Sequence, residues 1–549
     1  MDVLSRRLWG KFVSSGYFPE ELPACFSSVD LEYIVRRGNF NLSSFLQGDD
    51  RVPSSSKLLP FSIPHTKGYR RNLTVPGPFH YLQLTQALVQ HRSELEEIHK
   101  LSELSIYEDY NDDNHRYIAK PDFKKFIDER ILRSSGYRYL LNVDVTRFYA
   151  SIYTHSIPWA IHGKTIAKAN NRNSLYGNFI DMLVRNCQDK QTLGLPIGPD
   201  SSRIISELIL AKVDEELQNE ISDFKGIRNV DDYFLFFKSH GDAEKGRSVL
   251  QRLLRAYELE LNEAKERILE LPDILESEWK ARIRSFKFRR DDGQQRFDLI
   301  AFFDMVFSFA RSCPADMVLP YAVAKLRSLR VARSNWQIFQ AFLLNSIVLE
   351  PKVVVQVVNL LLKTNSSAPR RIQKAIIKEA FDSFISYHAT HDNHFEVVWA
   401  LWFYYQVKYE LSETLVRQLN SCENDFVILI LLALEREGLT ELSFDKARWR
   451  SLVTSANLYS EHWLIAYEGV AGTWLRRSQT SVQNDKFFEQ LLLNDVTFFK
   501  PNEEDDDSDG IDGQGTSLSR EVEAEDEDTD EDQDEDETQE FEPTEDQPF

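Results

Sequence analysis

The sequence is poor in cysteine and in long apolar runs, and each shortage excludes a class of protein. Four cysteines occur in 549 residues, none in Cys-x-x-Cys spacing, which argues against a disulfide framework or a cysteine zinc site. The longest apolar run, Phe426 to Leu434, is about half of a membrane span. The opening MDVLSRRLWGKF lacks the apolar segment of a secretory signal. These absences predict a cytoplasmic protein with no membrane partner.

Negative charge is concentrated at one end of the chain. Residues 501–549 contain 24 acidic residues and one basic residue, Arg520, which leaves 63 acidic and 64 basic residues in positions 1–500. The net charge of −22 therefore does not exclude a nucleic-acid partner for the body. The tail has low complexity and almost no aromatic residues, so it is predicted to be disordered.

Apolar periodicity predicts the main elements. Helices are expected over 82–88, 121–136 and 201–217, a strand over 139–145, and a strand–turn–strand unit over 227–237. Residues 16–23 (GYFPEELP) favour a turn into a short helix. After about residue 300 the pattern predicts a stacked helical array without a clear repeat consensus. Its blocks are 316–329, 335–348, 351–363, 369–387, 394–408, 412–420 and 424–437.

Two acidic sites indicate chemistry. Asp144 ends an otherwise apolar strand, and Asp231 and Asp232 occupy the tip of the predicted hairpin. A carboxylate on a buried strand is costly unless a cation meets it. Three converging carboxylates would suit one or two Mg²⁺ ions, which prefer oxygen ligands. Taken singly, each aspartate could instead be a turn residue or a helix cap.

Four ordered motifs resemble the palm of reverse transcriptases. They are DVTRFY (144–149), GLPIGPDSSR (194–203), NVDDYFLFF (229–237) and LNEAK (261–265), in the positions of motifs A to D. With the basic segment KGYRRNLTVP as fingers, the resemblance covers about residues 60–290. It implies an α+β right-hand polymerase core, followed by an all-α HEAT-like helical-repeat region and the disordered acidic tail. The boundaries are 1–60 for an N-terminal extension, 61–300 for fingers and palm, 301–500 for the helical repeats and 501–549 for the tail.

The resemblance also implies roles for single residues. The implied catalytic residues are Asp144, Asp231, Asp232 and Lys265. Lys265 would protonate or neutralise the departing pyrophosphate. Two Mg²⁺ ions, or Mn²⁺, would be held by the three aspartates and the backbone carbonyl of Val145. The predicted nucleotide-binding residues are Arg71, Val145, Phe148, Tyr149, Pro196 and Gly198, with Gly194 in the same loop.

Two details qualify these roles. Tyr149 falls where a large ring would crowd a 2′-hydroxyl and favour deoxynucleotides, and a core aromatic is the alternative. Asn229 stands where motif C usually has an aromatic residue, which weakens the expectation of ordinary retroviral-type priming. Other basic residues are weaker candidates for phosphate contacts, and ordinary surface charge is the alternative for each: Arg70, Lys120, Lys124 and Arg133.

Within the wider family, the chain resembles bacterial abortive-infection and defence-associated reverse transcriptases. The residues that carry this likeness are the GYFPEELP opening, the segment DVTRFYASIYTHSIPWAIHGK and the helical array. The resemblance implies anti-phage DNA synthesis from deoxynucleoside triphosphates, either template-independent and protein-primed or copying a non-coding RNA. A partner protein or a homo-oligomer is the expected assembly.

The sequence is also compatible with other functions and with other roles for two residue clusters. The chain could be another palm-type nucleotidyltransferase, such as an RNA polymerase, or a scaffold whose helical region binds nucleic acid or protein. The histidines of HATHDNH (388–394) could bind a metal, although a helix-capping loop is favoured. The aromatic cluster of residues 399–405 could stack bases, although helical core is favoured.

Overall fold

The structure is a computed structural model that describes most of the chain. The described residues are 1–38, 40–47, 52–65, 68–107, 123–170, 172–272, 275–367, 372–475 and 480–502. The predicted disordered tail lies outside them except for Pro501 and Asn502, and Lys120 lies outside them as well. In the described residues no helix combines the length and the apolar character needed to cross a bilayer.

The first part of the chain forms a helical layer and a two-stranded hairpin. Strands β1 (Leu59–Pro64) and β2 (Arg70–Val75) pair antiparallel, with Ile63 opposite Arg71. The helices of this part are α1 (Val3–Ser14), α2 (Val29–Arg37), α3 (Pro78–Gln90), α4 (Arg92–His99) and α5 (Phe123–Ser134). Residues 16–23, predicted to enter a short helix, form turns instead, because the Gly16 carbonyl accepts from the Tyr81 hydroxyl and the Asp200 amide.

A four-stranded antiparallel sheet follows, with the order β4-β5-β3-β6. The strands are β3 (Tyr139–Asp144), β4 (Lys225–Asn229), β5 (Asp232–Phe237) and β6 (Arg267–Glu270). The connecting helices are α6 (Phe148–Ser151), α7 (Ser156–His162), α8 (Lys164–Ala169), α9 (Tyr176–Asn186), α10 (Asp200–Glu220) and α11 (His240–Ala256). Leu140 and Phe236 pack with α5 residues on one face, whereas Leu141 and Leu235 join the main core on the other. The two central strands are therefore apolar on both faces, as fully covered strands must be.

The remaining chain is helical in its described residues. Its helices are α12 (Glu278–Ser285), α13 (Asp292–Ser312), α14 (Val318–Lys325), α15 (Trp336–Leu349), α16 (Val354–Ser367), α17 (Lys374–Thr390), α18 (His394–Val407), α19 (Glu413–Leu419), α20 (Asp425–Arg436), α21 (Ala447–Leu452), α22 (Trp463–Ala471), α23 (Thr480–Gln483) and α24 (Lys486–Leu493). Helices α14, α16, α18, α20 and α22 stack in sequence, and α15, α17 and α19 stack beside them. The predicted helical blocks are confirmed, while their identity as HEAT-like repeats stays a prediction.

The position of helix α18 accounts for its apolar composition. It packs against α16, α17, α20 and strand β1, so it is covered on nearly all sides. A helix in that position is apolar around its whole circumference. Trp399, Trp402, Phe403, Tyr404 and Tyr405 are all buried, so the aromatic cluster is core, as favoured from the sequence.

Two long-range contacts join the helical region to the beginning of the chain. Arg70 of β2 donates two hydrogen bonds of 2.8 Å to the buried carboxylate of Glu396 in α18. Residues 496–500, which we call the C-terminal strap, run beside residues 25–27. The Ser27 amide donates to the Phe498 carbonyl, the Lys500 amide donates to the Cys25 carbonyl, and the Lys500 ammonium bonds Asp30.

Candidate active site

Strand pairing brings the predicted carboxylates together. Asp144, the last residue of β3, is the register partner of Asp232, the first residue of β5. Directly paired residues of an antiparallel sheet point to the same face, with β-carbons about 5 Å apart. Asp231 immediately precedes β5, in the turn from β4. Three carboxylates that are far apart in sequence therefore lie at one end of the sheet.

The turn that carries Asp231 is strained. Only Val230 and Asp231 separate the paired residues Asn229 and Asp232, and Val230 has a φ of 57°. A two-residue hairpin turn with positive φ at its first central position normally has glycine there. A β-branched residue in the left-handed region costs about 1–2 kcal/mol, so the rest of the structure must hold this turn in place.

Burial and the crowding of negative charge together set the protonation of this site. Burial raises the pKa of Asp231 to about 7, and the neighbouring Asp232 and Asp144 contribute to the rise. Burial and Asp144 also raise the pKa of Asp232. Like charges held this close resist simultaneous ionisation. The site is thus arranged to favour a bound cation.

Lys265 supplies one cation. A short segment beside β3 positions it: the Asn262 amide donates to the Asp144 carbonyl and the Thr146 amide to the Glu260 carbonyl, each at 2.8 Å. The Lys265 ammonium bonds an oxygen of Asp144. Burial opposes its charge, but this bond and the charges of all three aspartates raise the pKa of Lys265. The sequence predicts Lys265 near the departing pyrophosphate, and in the structure its ammonium contacts the carboxylate of Asp144.

The donor set suits divalent metal ions. Because residues 144 and 146 make the backbone bonds to 260–262, the carbonyl of Val145 lies on the opposite edge, along which β5 runs. Three carboxylates and a carbonyl are hard oxygen donors of the kind that Mg²⁺ prefers. Within the described residues, however, no three His, Cys, Asp or Glu side chains are already gathered around a metal position, and HATHDNH is included in that statement. The residues fit a divalent ion by chemistry and charge, with Lys265 now neutralising Asp144.

Tyr149 lies beside the carboxylates. Its carbonyl accepts from the Leu195 amide at 2.8 Å, and its ring lies 5.3 Å from that of the buried Phe148. Burial raises the pKa of Tyr149, while Arg203 and a hydrogen bond with Ser206 oppose the rise and the charge of Asp231 adds to it. The tyrosine is therefore packed between α10 and the carboxylate site.

The glycines of GLPIG have an internal explanation. Gly194 has a φ of 86°, and a β-carbon there would lie 3.4 Å from the Ala150 carbonyl oxygen. Gly198 has a φ of 131°, and a β-carbon would lie 2.9 Å from the Pro19 ring. Pro196 is buried. The positive φ at both positions, and at Gly198 also the close approach of Pro19, account for the two glycines. Contact of this loop with a nucleotide stays a prediction.

The basic residues of the hairpin β1–β2 divide into two kinds. Arg70 is paired with Glu396, which argues against the phosphate contact considered from the sequence. Arg71 is exposed. Burial lowers the pKa of His65, and the charges of Arg71, Lys352 and Lys265 lower it further. Cations from the hairpin, the helical region and the sheet thus lie close enough to act on one imidazole.

Arg133, another candidate from the sequence, has a structural role. Its guanidinium donates to the carbonyls of Glu103 and Gly226 and to the carboxylate of Glu129. Lys124 is also engaged in a contact within the protein. Neither observation supports a phosphate contact at these two positions.

Sequence reasoning missed Lys352 and a buried arginine, Arg228. Arg228 is completely buried beneath the carboxylate turn, where it pairs with Glu207 and Asp214 of α10. The two acids, seven residues apart on the apolar side of a predicted helix, were an available signal. Lys352 had no such signal, because its position depends on how the helical region folds back.

A protein-family model matches the part of the chain that contains these carboxylates. Residues 86–293 match the family model "Reverse transcriptase (RNA-dependent DNA polymerase)", a stretch that includes all four motifs from Asp144 to Lys265. A search of curated protein sequences finds no match.

Among solved structures, the chain is similar to telomerase from Candida albicans in complex with a fragment of telomeric RNA. The identity is 10%, the TM-score is 0.26, and the match covers 62% of this chain and 67% of that one. Apo telomerase from Candida tropicalis gives 10% identity and a TM-score of 0.32, over 72% of this chain and 67% of that one. Residues 86–293 form a reverse transcriptase domain, and the protein is an RNA-directed DNA polymerase.

Proposed function

We propose that the protein adds deoxynucleotides to a 3′-hydroxyl or a protein hydroxyl by two-metal phosphoryl transfer in anti-phage defence. Asp144, Asp231, Asp232 and the Val145 carbonyl would hold two Mg²⁺ ions. Such ions lower the pKa of the attacking hydroxyl and stabilise charge on the transferred phosphoryl group. The observation that carries this proposal is the register of Asp144 with Asp232, which gathers three carboxylates beside a single bonded lysine.

Charge balance supports the metal assignment. Three ionised aspartates and Lys265 sum to two negative charges. Burial, together with the neighbouring Asp232 and Asp144, raises the pKa of Asp231, which supports a cost for this excess in the metal-free protein. Divalent cations would remove the excess and allow all three carboxylates to ionise near neutral pH. Within the same proposal, Lys265 leaves Asp144 and donates a proton to the departing pyrophosphate.

Substrate selection is assigned to the residues around the carboxylates. Tyr149 would exclude a 2′-hydroxyl, and its packing against α10 and Phe148 gives the ring the fixed position that steric exclusion needs. Arg71 would bind the triphosphate from the hairpin, together with the backbone at Pro196 and Gly198. Its exposure and its electrostatic effect on His65 beside Lys265 support this role.

The defence role rests on the resemblance of the motifs and of the succeeding helical array to defence-associated reverse transcriptases. In that role the product is DNA, made either on a non-coding RNA template or without a template. Both forms need the same carboxylates, so one substitution tests the chemistry in either case.

The experiment measures deoxynucleotide incorporation by purified protein with Mg²⁺ or Mn²⁺, with and without an RNA template and primer. Asp231→Ala should abolish incorporation. Asp223→Ala, at a surface aspartate paired with Lys238, should leave it unchanged. Full incorporation by Asp231→Ala would overturn the proposed chemistry. Phage plating with the same variants tests the defence role, and protection that survives in Asp231→Ala would overturn that role alone.

A further inference from the structure

We propose that Arg228 is a positioning residue that fixes the turn Val230–Asp231 and thereby sets the affinity of the carboxylate site for divalent cations. This inference rests on the proposed function. The side chain of Arg228 contacts Glu207, Asp214 and the Val230 carbonyl, and not the carboxylates of Asp144, Asp231 or Asp232. Its effect would pass through the backbone of the turn.

The contacts of Arg228 reach both α10 and the turn. One terminal nitrogen, Nη1, donates to the Val230 carbonyl at 2.8 Å and to Glu207 at 2.9 Å. Nη2 donates to the other oxygen of Glu207 at 2.7 Å, and Nε donates to Asp214 at 2.8 Å. The side chain has no exposed surface. A planar guanidinium held by two carboxylates has a fixed orientation. Its hydrogen bond to the Val230 carbonyl therefore fixes the orientation of that carbonyl.

The orientation of the Val230 carbonyl determines that of Asp231. In a trans peptide the carbonyl of one residue and the amide of the next point in opposite directions. With the Val230 carbonyl drawn towards Arg228, the Asp231 amide faces away from Arg228. The same peptide follows a residue with a φ of 57°, a conformation that persists only when its surroundings enforce it.

The backbone of Arg228 is fixed as well. Its amide donates to the Leu104 carbonyl at 2.7 Å, and its carbonyl accepts from the Ile106 amide at 3.1 Å. Ser102, in the same segment, donates to Asp214 at 2.6 Å. Arg228 therefore connects the turn to α10 and to residues 102–106. Both connections restrain the position of the turn.

The test separates the fold from the site by using three variants. Arg228→Lys keeps the charge but cannot make the forked contacts. The triple variant Arg228→Met, Glu207→Leu, Asp214→Leu replaces the whole buried ion cluster by apolar side chains, an exchange that often preserves stability, while it removes the donor to Val230. Asp425→Asn, which alters the buried pair of Asp425 with His462 in the helical region, is the control for a change to a buried ion pair elsewhere in the protein.

Mn²⁺ binding is measured by electron paramagnetic resonance of the free ion, with Asp231→Ala as the baseline and circular dichroism as the check on folding. In Arg228→Lys and in the triple variant the dissociation constant for Mn²⁺ should rise at least roughly tenfold, the equivalent of losing one hydrogen bond to a charged group. The kcat for incorporation should fall while the KM for the nucleotide changes little. Asp425→Asn should bind Mn²⁺ like the wild type.

The outcomes distinguish this inference from the proposed function. If Asp231→Ala binds Mn²⁺ as well as the wild type does, the proposed site is wrong and the inference fails with it. If Asp231→Ala loses binding but folded Arg228→Lys retains wild-type affinity, only the role of Arg228 is overturned. Arg228→Lys decides the question even if the triple variant does not fold.

Discussion

Replacing Asp231 by asparagine should stabilise the metal-free protein, although it should destroy activity. The pKa of Asp231 is raised from an ordinary value of 3.8 to about 7. At about 1.36 kcal/mol for each pKa unit, ionising this carboxylate in the folded protein costs up to about 4 kcal/mol more than in the unfolded chain. Asparagine has nearly the same shape and carries no charge, so Asp231→Asn avoids that cost.

The sign and the pH range follow from the raised pKa. A folded state that holds its proton to higher pH than the unfolded state loses stability as the pH rises, here between about 4 and about 7. Near pH 4 the folded wild type is protonated at Asp231 and should match Asp231→Asn. At pH 8 the variant should be more stable by up to about 4 kcal/mol.

The assay is urea denaturation followed by circular dichroism, with a chelator present, at pH 5 and pH 8. Asp298→Asn is a control of opposite sign, because a hydrogen bond from Arg289 lowers the pKa of Asp298 and its ionised form is stabilising. Saturating Mg²⁺ should stabilise the wild type and reduce its difference from Asp231→Asn. A variant that is less stable at pH 8, or a difference independent of pH, would refute the argument that burial and the neighbouring carboxylates raise the pKa of Asp231.

Three further predictions concern single side chains. Tyr149→Ala should lower the discrimination against ribonucleotides in kcat/KM at least about tenfold, measured with paired nucleotide substrates, whereas Tyr153→Ala should not. Lys265→Met should lower kcat about a hundredfold with little change in the nucleotide KM, and an unchanged kcat would exclude Lys265 as the proton donor. Glu396→Gln removes the negative charge that pairs with the partly buried Arg70 and should cost about 3 kcal/mol in urea denaturation; a neutral effect would show that this ion pair does not hold the hairpin to α18.

Local pattern predicted the elements that carry the site. Strand β3, the hairpin of β4 and β5, and α10 follow from runs of apolar residues with the right period, since each of these segments is buried over most of its length. The pairing of Asp144 with Asp232 could be expected from the order of the motifs, because that order resembles a known family. Alternation of apolar residues alone does not specify which strands become neighbours.

Contacts between distant segments could not be predicted. Nothing near Arg70 distinguishes it from Arg71, yet one is committed to Glu396 and the other is exposed. The difference arises from alternation along β2, which directs neighbouring side chains to opposite faces, and from α18, which covers only one of them. Residues 16–23 show the same limit, since hydrogen bonds from Tyr81 and Asp200 to Gly16 replace the predicted helix.

The contacts of the C-terminal strap with residues 25–27 can form only late in translation, and this affects the enzyme. Pro19, which packs against Gly198 of the GLPIG loop, lies in the same N-terminal segment whose residues 25–27 pair with Phe498 and Lys500. Synthesis must therefore pass residue 500 before the N-terminal segment can make these contacts. Chains that stop short of residue 496 would leave the loop without its full support, so incomplete translation products should be poor catalysts even though every catalytic carboxylate is already present.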